Sequence, residues 1–206
     1  IEFLEKAFRD PEYDGYVWVT EADGAWRDQR KVMYGHSFLI YAYSELGLAL
    51  RSPECRERAC HLFDLIAARA ADFRHGGFFE HFSREWALEA VRPDGIMHKS
   101  LDVHMHLMEA FTTLTELTAS PRHRQALTDV TELIFSRMVD PATGTGISMF
   151  APDWTPVPNM QLGTLWGSDR FDPAGKPTTV TSYGHNIELA WLYLHSLAVL
   201  GRDRHD

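Results

Sequence analysis

The sequence predicts an all-α protein made of repeated helical hairpins, and three observations lead there. A Gly-aromatic segment running to a Trp occurs three times: Gly15–Trp26, Gly77–Trp86 and Gly146–Trp154. Each is followed by a richly apolar helical stretch with a His near its start, at His36, His106 and His185. Between these stretches lie amphipathic helices that open on Ser-Pro, at Ser52-Pro53 and Ser120-Pro121. Self-similarity of this kind marks a repeat architecture, whose helical hairpins close into an α/α toroid or stack into a solenoid.

The first apolar stretch, from Lys31 to Ala49, is too dense in apolar residues for a surface helix and predicts one buried on most sides. Ser52 is an N-cap followed by Pro at the first helical position, opening a helix to about Ala71. Its stripe is Ala59, Leu62, Phe63, Ile66 and Ala70. Lys99 to Thr118 is the next inner helix. Ser120-Pro121 then starts a helix striped by Leu127, Val130, Ile134, Phe135 and Met138. Thr181 or Ser182 opens the last helix, with Ile187, Ala190, Trp191, Leu194 and Leu197 as its stripe and Gly201 as its stop. The Gly-aromatic segments alternate like short strands, too short to form a sheet of their own. The Trp positions are 60 and 68 residues apart and the His positions 70 and 79, the extra length falling in Pro/Gly-rich linkers. Residues 1–206 read as one domain, about half a ring, with material expected at both ends or supplied by a partner.

The bulk composition narrows the function. Hydrophobic content of 45% and charged content of 24% are those of a soluble globular protein. A net charge of −9 argues against nucleic acid as partner, and no apolar run is long enough to span a bilayer. Cys55 and Cys60 lack the C-x-x-C spacing and read as reduced thiols of a cytoplasmic protein.

Two helix starts read H-x-x-E: His106 to Glu109 and His185 to Glu188. Residues three apart share a helix face, so each Glu can touch its His, orient the ring and raise its basicity. The pairing occurs in register in two units and predicts proton-transfer groups. His104, two residues before His106, points about 200° away and reads as a core or capping His. His36 occupies the matching place in unit one with Leu39 instead of Glu, and with Tyr34 could line the same cavity. His75, His81, His98, His123, His195 and His205 form no constellation and read as surface or structural. The His and Glu spacings match neither H-E-x-x-H nor a zinc finger and favour an organic acid/base mechanism over a metal site. No cofactor motif is present.

At these residues the chain resembles the N-acylglucosamine 2-epimerase superfamily, most of all its cellobiose and mannose 2-epimerase and mannose-isomerase branches. The segments that carry the resemblance are Tyr34 to Ala42, Ser83 to Trp86, His104 to Ala110 and Tyr183 to Glu188. The resemblance implies an (α/α)6 barrel about twice this length, of which the chain would cover some three hairpins. It implies metal-independent chemistry on a reducing sugar: deprotonation at C2, an enediolate, and return of the proton to C2 or C1. By position it makes His185 a catalytic histidine, Glu188 its carboxylate partner and His106 the histidine that assists ring opening or binds sugar. Tyr34 falls near a substrate-contacting aromatic. A sugar-binding Arg is expected before Ile1 and the opposing His beyond Asp206. Asp102 stands where many members have Asn.

The sequence therefore predicts a sugar 2-epimerase or aldose–ketose isomerase with His185, Glu188 and His106 as catalytic groups. Tyr34, His36, Asp102, Glu109, Trp166 and Trp191 are its candidate sugar contacts, a small-molecule sugar is its partner, and a homodimer is an open possibility. The competing readings are a glycoside hydrolase or lyase on the same scaffold and a non-catalytic sugar-binding fragment.

Overall fold

A computed structural model describes residues 1–92, 94–157 and 183–203. The first helix, α1 (Glu2–Ala7), leads into a two-stranded ladder of β1 (Val19–Thr20) and β2 (Trp26–Asp28). The first inner element is β3 (Lys31–Val32) running straight into α2 (Met33–Leu50), and α3 (Pro53–Arg69) returns along it. The pattern repeats with β4 (His81–Phe82), β5 (Lys99–Ser100) and α4 (Leu101–Thr118), then α5 (Pro121–Leu133), which ends in one wide π turn over Ile134–Met138. The last elements are β6 (Met149–Phe150) and α6 (Tyr183–Leu200). The predicted opening of α6 at Thr181 or Ser182 lies outside the described residues.

The central element is α4. It packs against α2, α5 and α6, and its residues from Val103 to Met108 and from Ala110 to Thr115 are all buried. Ser100 caps its start, its Oγ accepting from Val103 N at 3.2 Å. Ser52 Oγ accepts from Cys55 N at 3.2 Å, as a Ser-Pro start requires. Ser120 makes no such bond; there the entry is held by Thr118, whose Oγ1 meets His123 Nδ1 at 2.7 Å. Gly201 ends α6 with a φ of 65°.

The residues called inner-helix starts in the sequence split into strand and helix. Lys31 and Val32 pair with Phe82 and His81, and Lys99 and Ser100 pair with Phe150 and Met149. Each pairing stitches one unit to the next. The two lysines at these ladders are fully buried, and their ammonium groups meet Asp10 at 2.9 Å and Asp72 at 2.7 Å. Asp10 also binds Arg84 and accepts from Glu12 N and Tyr13 N. Asp72 accepts from Arg74 N and His75 N. Burial opposes the charge on Asp10, and the Arg84 and Lys31 hydrogen bonds outweigh it, holding the carboxyl well below its usual range.

The structure corrects the register of the repeat. The loop bond Asp10 N to Gly15 O recurs as Asp72 N to Gly77 O and Asp140 N to Thr145 O. The amide that follows each loop is accepted by a helix side chain: Tyr16 N by His36, Phe78 N by His104 and Gly146 N by Asn186. So His36, His104 and Asn186 are equivalent, which places His106 level with Phe38 and Glu188. His36, His106 and His185 are not equivalent, and the two H-x-x-E segments are offset by three residues. The Trp register shifts as well. Trp86 and Trp154 occupy turns whose counterpart in unit one is Gly24, all three with left-handed φ of 68°, 71° and 91°. Trp26 instead donates from Nε1 to Ala7 O.

Candidate active site

The start of α4 presents Asp102, His106 and Glu109 on one face, since i, i+4 and i+7 positions share a helix side. His106 Nδ1 lies 3.0 Å from Glu109 Oε2, and its Nε2 lies 3.4 Å from Asp102 Oδ1. Burial of His106 disfavours its charge, but the two carboxylates prevail and push its pKa up to about 9. At neutral pH it is an imidazolium. From α6, His185 brings its Nε2 to 3.6 Å from the same Asp102 Oδ1. Asp102 thus stands between two imidazoles from neighbouring helices. Its Oδ1 is buried and makes no hydrogen bond among the described residues, leaving an acceptor between the two rings.

Tyr34, at the start of α2, closes the cluster. Its ring meets His106 edge-on at 5.2 Å between centroids. Burial first, then the negative charges of Asp102, Glu188 and Glu109, raise its phenol pKa, so it remains a hydrogen-bond donor. Phe38, one turn further on α2, lies 4.5 Å from the His106 ring and forms the apolar wall. Sequence reasoning missed Phe38; the signal was its i+4 spacing from Tyr34. The cluster therefore joins Tyr34, Asp102, His106, Glu109, His185 and Glu188, at the starting ends of three helices.

Two sugar-contact candidates fall elsewhere, and a third is not described. His36 is 1% exposed, with Nδ1 at 2.9 Å from Val32 O and Nε2 accepting from Tyr16 N at 3.2 Å. A carbonyl only accepts and an amide only donates, so both ring nitrogens are spent and the neutral tautomer is fixed. Burial pulls its pKa down to about 4. It supports the loop before α2, and its ring also lines a cavity of about 390 Å³ together with Phe38 and Leu39. Trp191 stacks on His195, one turn beyond the cluster, with ring centroids 6.5 Å apart. Trp166 lies outside the described residues.

His104 repeats the His36 arrangement, with Nδ1 at 2.7 Å from Ser100 O, Nε2 accepting from Phe78 N at 3.0 Å and a pKa of about 4. A groove of about 460 Å³ between the far ends of α4 and α6 is lined by Glu116, Arg124 and His195. It lies away from the cluster, and Arg124 there is spent on the carbonyls of Val199 and Leu200. His81 and His98, read from sequence as surface or structural, are both buried, beside Glu80.

A helical-hairpin array carrying a carboxylate-clamped imidazolium defines the class: the fold is of the α/α-toroid type. It matches the solved cellobiose 2-epimerase of Spirochaeta thermophila with a TM-score of 0.81 and 28% identity, covering 98% of this chain and 46% of that one. In sequence it is 27% identical over 203 residues to cellobiose 2-epimerase of Bacteroides fragilis, covering 97% of this chain and 47% of that protein. It is 28% identical over 197 residues to D-mannose isomerase of Thermobifida fusca, covering 96% of this chain and 45% of that protein. The N-acylglucosamine 2-epimerase family model matches residues 1–206, and the chain belongs to that family. It spans about half the length of the curated relatives it matches.

Proposed function

We propose that the protein is a carbohydrate 2-epimerase or aldose–ketose isomerase of an (α/α)6 barrel, acting on a reducing aldose of the mannose, glucose or cellobiose type. The observation that carries this is the Asp102 carboxylate set between His106 and His185. In this reading His185, supported by Glu188, takes the proton from C2 of the open-chain sugar. The C2–H electron pair moves to form the C1–C2 double bond, and the carbonyl π pair moves onto O1, giving the enediolate. His106, already protonated and oriented by Glu109, donates a hydrogen bond to that oxygen, with Tyr34 as a second donor. Delivery of a proton to C2 on the opposite face by a second acid, the histidine that the family resemblance expects beyond Asp206, gives the epimer; return of the proton from His185 to C1 gives the ketose.

The division of labour follows from the charges. A group with a pKa of about 9 is a poor base at neutral pH and a good donor to a developing oxyanion. His106 therefore suits oxyanion support better than proton abstraction. The acid–base set needs no metal for this step, and the two free cysteines fit a cytoplasmic location. Exposed Tyr183, Ile187, Trp191 and Leu194 on α6 offer a surface for further barrel helices or a second copy in a homodimer. A hydrolase reading is less favoured, because Glu109 is engaged with His106 rather than free for glycosidic cleavage.

The test is proton NMR of mannose, glucose and cellobiose incubated with the protein in D2O. Deuterium at C2 with a new epimer is the signature of epimerisation, and fructose that of isomerisation. No exchange with any aldose, by the chain restored to the full length of its relatives, overturns the reading. His185→Ala should abolish exchange; retained activity removes His185 from the mechanism.

A further inference from the structure

We propose that Glu80, His81 and His98 form a buried binding site for a divalent transition metal of the zinc class, separate from the sugar cluster. The three side chains come from β4, the residue before it and the residue before β5, 17 positions apart in sequence. Each offers one ligand atom, and these atoms lie within 4.8 Å of one another. The residues are 3%, 8% and 3% exposed. Exposed acidic clusters gather by chance; three buried ligand side chains with two imidazoles among them do not arise from solvation.

The polar accounting points the same way. His81 Nδ1 and His98 Nε2 are both buried, and both lack a hydrogen-bond partner among the described residues. Each such orphan costs about 1–3 kcal/mol, so a native core keeps few of them. His98 Nε2 lies 3.4 Å from Glu80 Oε2, yet it is not aligned for a hydrogen bond. Ligands about 2.1 Å from a tetrahedral zinc stand about 3.4 Å from each other. That edge of the coordination polyhedron is already set. The His81 and His98 rings are 5.3 Å apart and tilted by 43°, which keeps the third ligand beside that edge.

The surroundings hold the ligands in place. Glu80 accepts from Ser100 N through its other carboxylate oxygen, and its backbone carbonyl accepts from Met33 N. His81 is locked in the β3–β4 ladder opposite Val32. Of the neighbouring cations, Lys99 is bonded to Asp72 and Arg30 to Asp28. Two imidazoles and one carboxylate suit zinc, cobalt or nickel and not calcium or magnesium, which need oxygen cages. The fourth position is left for a water. A metal here would bind the starts of α2 and α4 into one rigid seam, its last ligand four residues before Asp102.

The experiment uses the purified protein, stripped with a chelator and titrated with zinc sulfate by calorimetry, in parallel with elemental analysis of untreated protein. The expected result is about one zinc per chain and a melting temperature that rises when zinc is added. Cobalt in place of zinc should give the intense visible absorption of a tetrahedral site. His81→Gln and His98→Gln should each weaken zinc binding by more than about 100-fold, beyond what loss of a supporting contact does. Their zinc-free melting temperature serves as the folding control. No zinc uptake by the wild-type protein, or unchanged uptake in both variants, overturns the proposal. If the variants do not fold, the wild-type measurement decides: octahedral, weakly absorbing cobalt counts against the site.

Discussion

His104 and His106 stand two residues apart on α4 and carry opposite charges of work. His104 faces backbone on both sides, a carbonyl at 2.7 Å and an amide at 3.0 Å, and is held neutral with a pKa of about 4. His106 faces two carboxylates and is held protonated with a pKa of about 9. Burial is nearly the same, at 0% and 4% exposed. What a buried histidine can do is set by the partners of its nitrogens, and a helix can place two contrary environments within 3 Å of rise.

The largest effects that would break this contrast come from deleting each ring. His106→Gln should lower the exchange rate by about 10²- to 10⁴-fold, and the stability it loses at neutral pH should vanish above about pH 9. His104→Ala should act on stability first. It strands the Phe78 amide and the Ser100 carbonyl and leaves a cavity, costing about 3–5 kcal/mol of stability by urea denaturation. If His104→Ala were as stable as wild type, the supporting role assigned to it would be wrong.

A smaller effect tests the loop that His104 receives. Gly77 has a φ of 72°, and a Cβ there would sit 2.7 Å from His104 Nε2 and 2.9 Å from Trp154. Gly77→Ala should cost about 1–3 kcal/mol for strain and a similar amount for the clash. Gly76→Ala, at a φ of 78° but with nothing within 4 Å, should show the strain alone.

The contrast also fixes two pH windows. The folded pKa values of His36 and His104 are depressed from 6.5 to about 4. Their contribution to stability is full above pH 6.5 and lost as pH falls through about 4. The folded pKa of His106 is raised, so its contribution is full below 6.5 and lost as pH rises through about 9. Imidazole NMR titration should find these three values, and Asp102→Asn should bring His106 down while leaving His104 unmoved. A His106 titrating near 6.5 in the wild type would remove the imidazolium from the mechanism.

The smallest effect separates two look-alike helix starts. Ser52→Ala removes a real cap and should cost about 1 kcal/mol, whereas Ser120→Ala should cost a few tenths, since Ser120 makes no capping bond. Thermal melting resolves the two.

Hairpins, helix spans and the Glu109–His106 contact were legible in the sequence, because periodicity and i,i+3 geometry act locally. The repeat register was not. Gly35-His36 and Gly184-His185 share their letters, but the position that matters is the one whose acceptor meets the loop amide. An Asn oxygen at 186 serves that amide as well as an imidazole nitrogen does at 36 or 104. Letter identity therefore misaligned the units by one residue on α6 and two on α4. The convergence of Asp102 on His185 was hidden for another reason, since it depends on how α6 packs beside α4. Glu80, His81 and His98 were hidden because strand pairing, not spacing, gathers them.

The left-handed tryptophans carry one more consequence. Trp86 donates its indole N–H to Tyr13 O, and Trp154 donates to His75 O. Each indole thus latches the loop of the unit before it, across 73 and 79 residues of chain. Neither of the first two loops can open without releasing a bond held by the unit after it. Neighbouring units are then coupled links, as in a chain of dominoes standing shoulder to shoulder, and they should melt in one transition rather than one by one.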